Sequence, residues 1–324
     1  MGIFKNFLDP DKYHGFGKKP PFFEGWYYKI LSQDQRSKYA IIPGIILGAD
    51  NHAFIQLLNG STGESVYWKF PSSSFTAEKR HFEVHIAGNR FTKEHIYLDI
   101  DDQLGVLQGE LKFHNTTPWP VSLFSPGIMG WYAWVPRMET YHGVGSLDHT
   151  ISGKLKINDV AIDFTGGRGY SEKDWGAAFP EAYIWFQSNH FQEPGVSLTA
   201  STAIIPWLRS SFRGFICGLW YQGQLYRFAT YTGAFIEKLD IFQDHIEWII
   251  SDKRYKLQMN ASRPEGGVLL GPDELEMGKR INETLSSTVE VRLAKISGEV
   301  IFFDTGRHTG LEAHGNLRRL AKYD

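Results

Sequence analysis

Tyr183-Ile184-Trp185-Phe186-Gln187-Ser188-Asn189-His190-Phe191 is aromatic and β-branched at most positions, the composition of a half-buried pleated strand. It is entered through Pro180 and Glu181. Near the start of the chain, Phe22-Phe23-Glu24-Gly25-Trp26-Tyr27-Tyr28-Lys29 comes after Pro20-Pro21 in the same manner. The chain continues alike beyond both stretches. Residues 40–46 and 53–58 read as a strand pair after the first, and residues 196–205 and 214–220 as a pair after the second. Both halves then turn, at Gly60-Ser61-Thr62-Gly63 and at Gln222-Gly223-Gln224, into residues 66–70 and 225–228. This internal echo, offset by about 160 residues, predicts two domains of one architecture, residues 1–168 and residues 169–324. Each half suits an antiparallel β-barrel of about eight to ten strands.

Working outward, period-2 alternation recurs in residues 81–86, 154–157 and 287–293, with turn signals at Ala87-Gly88-Asn89, Asn158-Asp159 and Ser297-Gly298. No amphipathic helix longer than about three turns is evident, and residues 312–323 are predicted helical. Residues 114–143 break the pattern with Pro118, Pro120, Pro126 and Pro136. With Trp119, Trp131, Tyr132 and Trp134, they read as a long packed crossing near a cavity.

Of the 324 residues, 42% are hydrophobic and 15% aromatic, enough for two cores of ordinary size. A net charge of −2, with no run of Lys or Arg beyond two, excludes an electrostatic case for nucleic acid. Cys217 is the only cysteine, so no internal disulfide and no cysteine-based zinc site can form. No apolar run approaches the roughly 20 residues that span a bilayer. The segment Met1-Gly2-Ile3-Phe4-Lys5-Asn6-Phe7-Leu8 lacks the long apolar core of a secretory signal. A cytoplasmic protein is expected.

Phosphate-binding loops, the Gly-x-Ser-x-Gly nucleophile motif and His-Glu-x-x-His are all absent. His81, Glu83 and His85 have metal-compatible spacing on one strand face, but an exposed polar face explains them as well, and no metal is expected. Tyr170-Ser171-Glu172-Lys173-Asp174-Trp175-Gly176 is the sharpest local signal. In an extended segment Tyr170 and Glu172 point the same way. Glu172 serves as a general acid if burial holds its proton, since an apolar site raises a carboxyl pKa. Lys173 or Arg168 would instead neutralise it, leaving a hydrogen-bond network at a strand corner. His142, three residues after Glu139, is a second candidate for acid–base work or a satisfied structural histidine. Glu24 is an acid among aromatics, facing either inward or outward.

The Phe-Phe-Glu-Gly-Trp-Tyr opening at residues 22–27 resembles a motif of the tocopherol cyclase family, as does the block at residues 170–191 with its Trp-Phe-Gln-x-Asn-x-Phe ending. Plant and cyanobacterial members have Asn where this chain has Asp174, and residues 138–143 also depart from them. The resemblance extends to carotenoid hydratases and implies a pair of lipocalin-like barrels. It implies addition of a phenol oxygen across a prenyl alkene, started by protonation and closing a chromanol ring without a redox cofactor. Carried over, Glu172 is the proton donor, Tyr170 orients it or relays the proton, and His142 belongs to the same catalytic group. Trp26, Glu24, Trp175, Trp185, Gln187 and Asn189 would contact a hydrophobic prenylated substrate, ring faces favouring the cation by roughly 0.5–2 kcal/mol each. A substrate of this kind also points to peripheral contact with a membrane. The alternative is a non-catalytic lipocalin-like carrier of a prenylated quinone or similar lipid.

Overall fold

The computed structural model describes residues 9–136, 138–207, 210–273 and 276–323. It is built almost wholly of antiparallel strands, in two units. The first unit comprises Met1–Phe179 with Val268–Arg280, and the second Pro180–Gly267 with Ile281–Asp324. The break expected between residues 168 and 169 therefore falls later. It comes after the strand Arg168–Gly176, which the earlier position would have cut away from its sheet. Residues 268–280 also return to the first unit, where the Gln56 side chain exchanges two hydrogen bonds with the Leu270 backbone, at 2.8 and 2.9 Å. The N-terminal reading of Met1 to Leu8 lies outside the described residues.

In the first unit the strands are β1 (Phe22–Leu31), β2 (Lys38–Leu47), β3 (His52–Asn59), β4 (Ser65–Pro71), β5 (Phe75–Ala77) and β6 (Glu83–Ile86). They continue as β7 (Asn89–Thr92), β8 (His95–Asp102), β9 (Gly105–His114), β10 (Thr140–Ile157), β11 (Val160–Asp163) and β12 (Arg168–Gly176). Their order is β4-β3-β2-β1-β12-β10-β9-β8-β7-β6-β5, with β11 beside β10. The second sheet comprises β13 (Ala182–Ser188), β14 (Ser197–Trp207), β15 (Ser210–Tyr221), β16 (Gln224–Ala229) and β17 (Phe235–Ile241). The remainder are β18 (His245–Ser251), β19 (Tyr255–Ser262), β20 (Gly267–Gly271), β21 (Lys279–Lys295) and β22 (Val300–Gly315). Their order is β16-β15-β14-β13-β22-β21-β19-β18-β17, with β20 off this path.

The echo in the sequence is thus an echo in topology. Each unit's first strand, β1 or β13, lies between its successor in the chain and the last strand of its own sheet. The residues predicted helical at the C-terminus divide. Residues 312–315 finish β22, and only Leu317–Ala321 forms a helix, α1, whose N-cap Asn316 accepts from the Arg319 amide.

Alternation decides what each strand buries. Trp26, Tyr28 and Ile30 of β1 enter the first core with Ile41 and Ile45 of β2 and Trp175 of β12. In the second unit Ala182, Ile184 and Phe186 of β13 enter the core with Leu198, Trp248 and Leu311. Gly109 and Gly153, on the paired strands β9 and β10, have φ of +127° and +120°. A Cβ at either position would strike a backbone carbonyl of the neighbouring strand.

Candidate active site

β12 carries two different sets of polar side chains, one on each face. Its even-numbered residues Tyr170, Glu172 and Asp174 share the face opposite the first core. The Tyr170 hydroxyl donates to Glu172 Oε2 at 2.5 Å. His142, registered across from Asp174 on β10, reaches both acids. Its Nδ1 lies 2.8 Å from Asp174 Oδ1 and its Nε2 3.5 Å from Glu172 Oε2. Tyr170, Glu172 and His142, three residues singled out in the sequence, therefore form one cluster. Burial pushes the His142 imidazole toward neutrality, but the charges of Asp174 and then Glu172 outweigh it and hold its pKa up at about 9. On the adjoining β1, Lys29 is fully buried and registered across from Tyr170.

The cations expected as rivals for Glu172 are taken elsewhere. Arg168 grips Asp148 with two hydrogen bonds, at 3.0 and 2.6 Å. Lys173 points the other way, into the first core, and its Nζ lies 2.6 Å from Glu24 Oε1. Nor does His142 pair with Glu139, three residues before it; its partners are Asp174 and Glu172.

The inner face of β12 holds the second set. Glu24 faces inward and is completely buried. Burial alone would raise its carboxyl pKa. The Lys173 ammonium and the contacts from His14, whose backbone N–H reaches both carboxylate oxygens at 3.0 and 2.8 Å, instead hold it below the usual range. Lys173 also meets the Lys12 carbonyl and His14 Nδ1. Trp26 and Trp175 flank its ammonium, with ring centroids at 5.2 and 4.6 Å. His14 stacks on Trp175 at 4.3 Å, and Tyr141 packs on it at 5.5 Å.

This corrects the expected arrangement. Trp26 and Trp175 do share a site, but the cation between them is the chain's own lysine, and Glu172 lies on the opposite face. One residue step along a strand reverses the side on which a residue projects. Trp185, Gln187 and Asn189 belong to the second unit. Trp185 and Gln187 are buried on the face of β13 opposite its core, and Asn189 Oδ1 contacts His190 Nδ1 at 2.9 Å.

Two participants were missed in the sequence. Asp174 was legible from the same alternation that linked Tyr170 to Glu172. His14 lies in an irregular segment and gave no periodic signal. The donor atoms of His142, Glu172 and Asp174 fall within 4.8 Å of one another. That spacing is compatible with a metal, and His142 Nδ1 is already taken up by Asp174. On β6, Glu83 is bound by Arg90, His81 and His85, as on a polar strand face.

The fold and this cluster define a mostly β protein that gathers two acids, an imidazole and a phenol on one face of two neighbouring strands. Over residues 113–315 the chain matches the tocopherol cyclase-like family, and it belongs to that family. It is 25% identical over 201 residues to the chloroplastic tocopherol cyclase of Zea mays, a match covering 57% of this chain and 41% of the maize protein. With the probable chloroplastic tocopherol cyclase of Oryza sativa subsp. japonica it shares 23% identity over 323 residues, 82% of this chain and 68% of that one. The chain thus spans less than half the length of the maize relative. Among solved structures, CghA with Sch210972 aligns with a TM-score of 0.56 at 11% identity, over 91% of this chain and 89% of that one. Kievitone hydratase from Nectria haematococca aligns with a TM-score of 0.51 at 12% identity, over 94% of each chain. At these identities the likeness is one of fold. Among the described residues, no helix is long and apolar enough to cross a membrane.

Proposed function

We propose that the chain is a cyclase that adds a phenol oxygen across the prenyl alkene of a hydroquinone, with Glu172 as the proton donor. We also read its two sheets as lipocalin-like barrels, on the strength of their shared strand order and the fold of the solved relatives. Family membership supports the reaction class. One observation carries the residue assignment: Tyr170 and His142 converge on the same oxygen, Glu172 Oε2, while Lys173 and Arg168 are committed to Glu24 and Asp148.

In this reading the Glu172 carboxyl gives its proton to an alkene carbon. A C–H bond forms and a tertiary cation is left. The phenol oxygen attacks that cation, closing the C–O bond. Its proton passes to the carboxylate, so the cycle ends with the acid restored and the product an isomer of the substrate. Tyr170 fixes the carboxyl, and the His142 imidazolium is the nearest proton reserve.

Glu172→Gln tests the assignment. The amide keeps shape and a hydrogen-bond donor but cannot protonate carbon, so chromanol formation should fall by roughly 10²–10⁴-fold while ligand binding persists. Turnover of a prenylated hydroquinone at the wild-type rate would defeat the acid assignment. A wild-type protein that binds such compounds and never converts them is a carrier.

A further inference from the structure

Residues 115–136, between β9 and β10, contain no Asp, Glu, Lys, Arg or His, in a chain whose residues are 22% charged. The structure divides this segment. Its inner part is core: Trp119, Ile128 and Met129 are buried. Its outer part is not. Ser122 and Ser125 bond to each other through both backbone pairs, at 2.9 and 3.1 Å, and throw Leu123 and Phe124 onto the apex of a tight turn. Phe124 is 86% exposed, Leu123 54% and Trp131 48%. The apex is braced rather than loose. Trp134 Nε1 donates to the Leu123 carbonyl at 3.3 Å, and Trp131 stacks on Tyr132 with ring centroids 4.2 Å apart.

An exposed Leu-Phe pair needs an explanation where a polar turn would serve as well. The shape and chemistry of the tip select among partners. Its two side chains stand at the apex of a two-residue turn, so it suits a medium that deforms around it better than a preformed groove. It bears no charge, so nothing steers it to a charged protein surface. Trp131, Tyr132 and Trp134 stand beside the apex, and such rings favour the level of lipid headgroups.

We propose that Leu123, Phe124 and Trp131 insert into the interfacial layer of a lipid bilayer and dock the first unit on its surface. The segment runs into β10, which carries His142. Docking would therefore bring a lipid phase to the strand that holds part of the candidate site. It requires nothing of the reaction proposed for that site.

Sedimentation of the full chain with vesicles of phosphatidylcholine tests it, with phosphatidylglycerol added in a parallel series. The wild type should partition into both, because the tip itself is uncharged. Leu123→Ser/Phe124→Ser should bind at least about tenfold more weakly, with an unchanged melting temperature because both side chains are exposed. A second measurement uses the fact that Cys217 is buried. A polarity-sensitive dye on Phe124→Cys should shift to the blue when vesicles are added, whereas the same dye on Gln103→Cys, in the exposed β8–β9 turn, should not. Three results would overturn the proposal: a wild type that stays in the supernatant at millimolar lipid, a serine pair that sediments like wild type, or a protein dimer that the serine pair abolishes in the absence of lipid. The last would assign the tip to a second copy of the chain.

Discussion

His142 and Asp174 meet across β10 and β12, with Nδ1 of one 2.8 Å from Oδ1 of the other. Two neighbouring strands are joined here by one side-chain ion pair. The pair fixes the imidazole so that Nε2 faces Glu172. Asp174→Asn should therefore lower the His142 pKa from about 9 toward its ordinary 6.5, read by NMR titration of labelled histidine. The folded value lies above the unfolded one. The stabilisation is thus complete below about pH 6.5 and is lost as pH rises through about 9, and the full shift corresponds to about 3 kcal/mol. A titration unchanged by the substitution would remove Asp174 from this role.

Tyr170→Phe deletes the hydrogen bond to Glu172, and the ring stays buried. A bond to a carboxyl of this kind is worth about 1.5–3 kcal/mol, so kcat should fall roughly 10–100-fold with KM little changed. Equal kcat in the two proteins would make the hydroxyl a packing feature.

Lys173→Met leaves Glu24 charged and buried without its cation. Breaking a buried pair in this way costs about 3–5 kcal/mol. The double variant Glu24→Gln/Lys173→Met should recover most of that loss in a urea titration. If the double variant is as unstable as the single one, packing of the lysine stem on Trp26 and Trp175 is the larger contribution.

Acid should loosen the segment around His14. The Glu24 carboxyl is held below its ordinary pKa, so its contribution is present above about pH 4.5 and is lost as pH falls through the lower folded value. The amide of His14 donates to that carboxylate. Its hydrogen exchange, referenced to amides in β1, should accelerate on acidification in wild type and be fast already at neutral pH in Glu24→Gln.

His149 offers a stabilising substitution. It is buried against Phe113, at 4.4 Å between ring centroids, and among the described residues neither ring nitrogen has a hydrogen-bond partner. Burial, with the Arg168 charge adding to it, pushes its pKa down to about 3. The unfolded chain therefore takes up a proton below about pH 6.5 that the folded chain refuses, and stability falls with pH. His149→Leu should remove that dependence and raise the melting temperature at pH 5 more than at pH 8.

Local pattern carried the strands well. β1, β2, β3 and β13 begin and end within about two or three residues of the sequence reading, because alternation and turn residues agree there. Asn158 and Gln222 even take the left-handed φ, at +52° and +49°, that their turns require. The domain boundary was not legible, because β12 precedes Pro180 in sequence but belongs with β1 in space, as its register shows. The long crossing was half legible. Its aromatics announced burial, and Trp119 is buried, but nothing local distinguished that ring from the exposed Phe124. Among site residues, Tyr170 and Glu172 were readable from a two-residue period. The partner of Lys173 was not, because Glu24 lies on another strand and only the register brings it near.

The alternation of β12 has a consequence for how this stretch tolerates change. Tyr170, Glu172 and Asp174 serve one face, and Lys173 and Trp175 serve the other. A saturating mutational scan through residues 170–175 should then read as two interleaved messages. Even positions would score chiefly in an assay of turnover, odd positions chiefly in an assay of abundance. A single inserted residue would exchange the two messages and spoil both at once, so a length change here should be less tolerated than any single substitution.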